Sequence, residues 1–258
     1  MDFLLAGDIG LIALMIGVTL LASTLQSAIG FGFALLVVPP YLLLLESVAA
    51  IQIVIIVTLA ISLLLLPALL RQVPWPLVRR LALGSLLGFP LGLFAYLQAD
   101  LRLIKLAVGL VIAALAIRLL MQSLRPAGSD RAAGGSAAGR DYGVGLLSGA
   151  MATALAMPGP AVMLHLASSG AARDVLRAAI LTLFAFSYGA ALGLQAGFAG
   201  IARDTWITAA VLIPVAAVGT FLGHWASPHI AERAFRLTVL FVLLLTGVYM
   251  TIATLISW

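Results

Sequence analysis

The chain has 258 residues, of which 64% are hydrophobic and only 9% charged, and its mean hydropathy is +1.22. A soluble domain of this length cannot bury so much apolar surface, so the composition points to a polytopic helical membrane protein. The absence of cysteine removes disulfides and thiolate metal sites, and the net charge of +5 reflects arginines at helix ends rather than a nucleic-acid-binding face.

Apolar stretches of roughly 20 residues, the length that crosses ~30 Å of hydrocarbon, recur between short charged clusters. They are continuous rather than alternating, which excludes a transmembrane β-barrel. Met1-Asp2-Phe3 carries no basic residue ahead of the first stretch, so that stretch reads as a membrane segment and not as a cleaved leader. Ten helical segments are predicted: 8–28, 31–45, 47–70, 76–98, 101–122, 141–156, 159–170, 174–198, 205–226 and 232–256. The second and seventh are short, so the pairs 8–45 and 141–170 read either as two crossings each or as hairpins that dip in and return.

Between the fifth and sixth segments lies "QSLRPAGSDRAAGGSAAGRD", rich in Gly, Ala and Ser, which reads as a flexible linker. It divides the chain into an N-terminal membrane repeat (1–122), a linker (123–140) and a C-terminal membrane repeat (141–258). With the N-terminus outside, eleven of the fourteen basic residues fall at cytoplasmic helix ends, and only Arg102, Lys105 and Arg203 fall outside. The positive-inside rule then places both termini outside and the linker in the cytoplasm of a cell inner membrane.

The halves repeat. "GFPLG" at 88–92 matches "GTFLG" at 219–223, and at the same offset Trp75 matches Trp206, Arg102 matches Arg233 and Lys105 matches Arg236. Earlier in each half Gly32 of "FGFALLVVPP" aligns with Gly159 of "PGPAVMLHLA". Each half holds an odd number of crossings, so the second copy is inserted upside down. That gives an all-α fold of two inverted five-segment repeats with broken helices near the midplane, the plan of many secondary transporters.

The matched breaks carry the chemistry. One helix ends near Ser27-Ala28-Ile29 and another starts after Gly30-Phe31-Gly32; in the second half a helix ends near Leu155-Ala156 and "MPGP" at 157–160 starts the next. A helix start presents free N–H groups with roughly half a positive charge. Irregular backbone at membrane depth is tolerated only where protein buries it or a wet cavity borders it. Two such starts facing one another make a site for a small anion. The segments carry no Lys, Arg, Asp or Glu at mid-depth, which leaves neither a cation site nor a carboxylate relay.

These residues resemble those of the sulfite exporter TauE/SafE family of anion permeases. The resemblance rests on a glycine-rich segment followed by proline in each half, Gly30-Phe31-Gly32 with Pro39 and Pro158-Gly159-Pro160, with a cytoplasmic linker between the halves. It covers roughly residues 10–255. Phe33 stands where the family's commoner form has a further glycine, which narrows the expected cavity or makes it more apolar. The resemblance implies transport of a small sulfur-containing or organic anion such as sulfite, sulfoacetate, thiosulfate or a carboxylate, with no cofactor. The partners expected are that anion and membrane lipid, with no nucleic acid, and a homodimer is compatible with the sequence.

Substrate contacts are expected from Gln26, Ser27, Gly30, Phe31, Gly32, Phe33, Gln52, Thr153, Pro158, Gly159, Pro160, His165 and Tyr188. Thr153 takes the place of Gln26 in the repeat, and either can serve sulfonate oxygens or cap local backbone. A membrane histidine such as His165 can carry a proton or donate to an anion. Gln52 and Tyr188 are a deep amide and a deep phenol, each needing a partner. His224 beside Trp225 reads as an interface anchor, as do Trp75 and Trp206, His229 as a loop residue, and Gly88/Gly92 and Gly219/Gly223 as close-packing faces.

The leading function is a secondary transporter working by alternating access. A passive anion channel or a permease for small carboxylates is the alternative. An intramembrane enzyme is disfavoured, because His165 and Ser148 are the only suggestive pair and no matching acid is expected nearby. No metal-ligand cluster and no phosphate-binding loop occur. The cysteine-free chain makes topology directly testable. Single cysteines at Gln72 and Ala202 should label with a membrane-impermeant thiol reagent from opposite faces of the membrane; labelling from one face would overturn the inverted arrangement.

Overall fold

The structure, a computed structural model, describes residues 9–29, 32–124, 138–166 and 172–226, together with 247, 251, 252 and 254. The described residues contain nine α-helices: α1 (Ile9–Ile29), α2 (Phe33–Leu45), α3 (Ala49–Leu69), α4 (Trp75–Gln98), α5 (Leu101–Leu124), α6 (Ala138–Leu155), α7 (Gly159–Leu166), α8 (Arg173–Phe198) and α9 (Arg203–Ala226). Five of them are long and apolar enough to cross a membrane, namely α1, α3 continued by a 3-10 turn, α4, α8 and α9. The tenth expected segment, 232–256, lies mostly outside the described residues, but 247, 251, 252 and 254 are helical. Most of the linker, His229, Gly30 and Phe31 also lie outside them.

Helix α3 forms the centre. Its residues from Ala49 to Thr58 are all buried, as expected of a helix apolar on every side and packed on every side. It packs on α8 and α9, while α8 also packs on α4 and α6.

Two parallel helix pairs flank this centre, and both are built on glycine. Gly84, Gly88 and Gly92 lie one above the other on α4, so a Cβ on any of them would strike the carbonyl of Tyr142, Leu146 or Ala150 of α6. Gly145 and Gly149 return the contact against Leu81 and Ser85. On the other side Gly219 and Gly223 of α9 meet α1 at Leu20 and Thr24 in the same way. Lipid cannot drive helices together by the hydrophobic effect, so close backbone approach and the dispersion it permits must do so. The opposite face of α4 carries exposed Leu83, Leu87, Leu91 and Phe94, the spacing of a lipid-facing stripe.

The two short-segment pairs both fold back as antiparallel hairpins. In α1–α2 the Phe33 N–H donates to Gln26 Oε1 at 3.0 Å, and farther back the Tyr41 hydroxyl lies 2.6 Å from Thr19 Oγ1 and 3.1 Å from the Met15 carbonyl. In α6–α7 the reversal occurs at Ala156, in the left-handed region with φ 56°. Past it, Met157 N–H bonds the Met151 carbonyl at 3.1 Å, and Ser148 Oγ donates to the Pro158 carbonyl at 2.9 Å. At 1.5 Å per residue the returning limbs span about 20 Å in α2 and about 12 Å in the described part of α7, short of a ~30 Å hydrocarbon layer. Pro39 and Pro40 sit inside α2 without ending it, as membrane helices allow where neighbours enclose the freed carbonyls.

Gly143 and Gly145 lie on the same helix but differ in surroundings: a Cβ at Gly143 has nothing within 4 Å, whereas one at Gly145 meets the Leu81 carbonyl. Gly145→Ala should therefore cost about 1–3 kcal/mol and lower the melting temperature in detergent. Gly143→Ala should be neutral or stabilise by up to ~1 kcal/mol. Equal losses in both would remove the close-contact account of α4–α6.

Candidate functional site

The starts of α2 and α7 line one cavity. Its walls are Gln26, Gly32, Phe33, Ala34, Leu35, Met157, Gly159, Pro160, Phe184 and Tyr188, which leave a small, water-sized space between them. All of these but Gly32 are buried. Gly32 has φ 114° and ψ −10°, a conformation open to glycine and strained for side chains with a Cβ, so the break needs glycine there. The chain then enters α2, whose first-turn N–H groups at Ala34 and Leu35 have no intrahelical carbonyl to bond.

Gln26 is the polar centre of this cavity. Only 1% of it is exposed. Its Oε1 accepts from Phe33 N–H, which acts as a cap supplied from the preceding helix; since an N–H can only donate, that bond fixes which end of the amide is oxygen. The other end, Nε2, is buried with no hydrogen-bond partner among the described residues. An orphaned amide donor in such a place calls for an explanation, since leaving one unmade costs ~1–3 kcal/mol.

The second start is different. Pro160 contributes no N–H, and Gly159 lies so close to α8 that a Cβ there would come within 3.1 Å of the Phe184 ring. Phe184 stands edge-on to Tyr188, with ring centroids 5.6 Å apart. The Tyr188 hydroxyl donates to the Ala156 carbonyl at 2.8 Å, so one residue fixes the hairpin tip and walls the cavity.

Of the residues singled out from the sequence, Gln26, Gly32, Phe33, Gly159, Pro160 and Tyr188 come together here. Gly30 and Phe31 fall outside the described residues. Ser27, Gln52, Thr153, Pro158 and His165 are not on the lining. Ser27 is buried beside Gly223, its hydroxyl without a partner among the described residues. Gln52 donates from Nε2 to the Gly200 carbonyl at 2.9 Å. The Thr153 hydroxyl lies 3.0 Å from the Phe89 carbonyl and 3.1 Å from that of Gly149, and its own carbonyl accepts from Gln195 Nε2 at 2.8 Å. Phe184 went unnoticed in the sequence, though it lies four positions before Tyr188 on one helix face; Met157 directly precedes the proline-glycine break.

One expectation is overturned. The acid thought missing near His165 is Asp141, which is fully buried. Its Oδ1 lies 2.7 Å from His165 Nε2 and its Oδ2 accepts from Arg80 Nε at 2.6 Å. The two residues are 24 positions apart, and the antiparallel return of α7 along α6 is what brings them together. Ser148 is not part of this group, since its hydroxyl donates to the Pro158 carbonyl. The carboxylate therefore joins the base of the hairpin to α4.

A bundle with five helices of membrane length defines a polytopic membrane protein. Residues 15–250 match the family described as Sulfite exporter TauE/SafE, and the chain belongs to that family. Comparison with curated proteins and with solved structures returned no match.

The Asp141 group gives a direct stability test. Asp141→Asn should cost on the order of 2–3 kcal/mol, below the ~3–5 typical of a fully buried pair because Arg80 reaches solvent. Arg80→Gln should cost less. Thermal unfolding in detergent checks the order; an unchanged Asp141→Asn protein would remove the hairpin-to-α4 tie.

Proposed function

We propose that this protein is a secondary transporter that moves a small sulfur-containing or organic anion, such as sulfite or sulfoacetate, across a cell inner membrane by alternating access. The anion rests at the starts of α2 and α7. The observation that carries this reading is the unpartnered Gln26 Nε2, buried in a cavity that both helix starts line. An oxyanion satisfies that amide and the first-turn N–H groups together.

The helix pairing supports inverted repeats. The first helix of the second half, α6, packs on α4, and the first helix of the first half, α1, packs on α9; these are equivalent contacts if α1–α5 correspond to α6 onward. In the same way α3–α9 answers α4–α8, and α3–α8 lies on the pseudo-axis. Rocking one unit against the other would open the cavity to each side in turn, with both termini outside and the linker cytoplasmic. The burial of nearly every lining residue favours such a carrier over an open pore. An inside-negative potential alone supplies ~2.3 kcal/mol per charge per 100 mV toward export of an anion.

Proteoliposomes test the reading. Gly159→Val drives a branched side chain toward Phe184, and Gln26→Leu removes the orphan donor and the α2 cap. Each should cut saturable sulfite flux by about tenfold or more, the effect of ~1.4 kcal/mol, while the protein remains monodisperse. Wild-type flux in both folded variants would refute the site. Flux that fails to saturate and appears as large currents would favour a channel.

A further inference from the structure

We infer that the cavity selects singly charged anions over doubly charged ones; this rests on the site proposed above and narrows its substrate class, so that of the anions named there sulfite enters as bisulfite and sulfoacetate, a dianion at neutral pH, is disfavoured. Among the described residues the lining contains no Lys, Arg or His. His165 and Arg80 both face Asp141, and Arg177 lies seven residues before Phe184 on α8, about 10 Å along the helix. What the cavity offers a guest is neutral: the Gln26 amide, a few main-chain N–H groups and two helix dipoles, set among Phe33, Leu35, Met157, Phe184 and Tyr188.

Charge scaling then decides the preference. The cost of stripping water from an ion rises with the square of its charge. Its attraction to fixed dipoles rises only with the first power. On going from a monoanion to a dianion the cost therefore quadruples while the attraction doubles. A site with several fixed cations, or one ringed by donors to every oxygen, could restore the balance. This one has apolar walls over most of its surface, and Pro160 removes one of the donors at the second helix start. The same walls suit a guest that pairs one charged group with a small apolar body.

The experiment measures binding to the full-length protein in detergent by calorimetry, with methanesulfonate as the monoanion and sulfate as the dianion of similar head group. Methanesulfonate should bind about 100-fold or more tightly than sulfate. Sulfite, which passes from bisulfite to its dianion near neutrality, should bind more weakly as pH rises, while methanesulfonate affinity stays level over the same range. Sulfate binding equal to methanesulfonate, or sulfite binding that strengthens with pH, overturns the inference. Gly159→Val separates the two layers of argument. If it abolishes binding of both probes and they bind wild type equally, the site stands and the charge preference falls. If it leaves both intact, the site and the preference fall together.

Discussion

Main-chain N–H and carbonyl groups have no solvent partner in hydrocarbon, and much of this fold follows from that constraint. A helix that stops inside the bilayer strands its terminal groups, at several kcal/mol each if nothing answers them. Here two helices begin inside the protein. Both starts are enclosed by α8 and by each other, and one is capped by a side chain from the helix before it. The cavity is the remainder, the space that the two starts line.

Enclosure of that kind needs helices that approach closely and hairpins that hold their shape. Glycine provides the first. The contacts of α4 with α6 and of α1 with α9 place backbone against backbone, and across α4–α6 the hydroxyls of Ser85 and Thr153 add hydrogen bonds to the carbonyls of Gly145 and Phe89. Buried polar contacts provide the second, and they differ between the halves. The first hairpin is joined by the Tyr41–Thr19 contact, the second by the buried Asp141–His165 contact, which Arg80 extends to α4.

Helix positions were legible because each apolar stretch is long and bounded by charge or by Gly and Pro. The described helices begin within about three residues of where the hydropathy pattern put them, inside the usual boundary uncertainty. The glycine faces were legible from their four-residue spacing, and the two breaks from proline and glycine at repeat-matched places. Gln26 was found as a polar residue beside a break, but its double use was not visible, since nothing in the sequence says that Phe33 turns back to it. Gln52 and Thr153 were less legible: a buried amide or hydroxyl needs a partner, yet only the fold reveals that the partners are the carbonyls of Gly200 and Phe89. Asp141 was hidden by position. At the edge of a polar linker it resembles a solvated charge, and only the hairpin return of α7 buries it against His165.

The Gln26 side chain serves two masters. Its oxygen anchors the start of α2 and its nitrogen is buried without a partner among the described residues, and both atoms belong to one rigid planar group. Any reorientation of that plane toward a guest tilts the oxygen relative to the Phe33 amide. A guest held by that amide would thereby act on the first turn of a helix whose far end leads directly into the central α3, so that loading and helix movement would share one carboxamide.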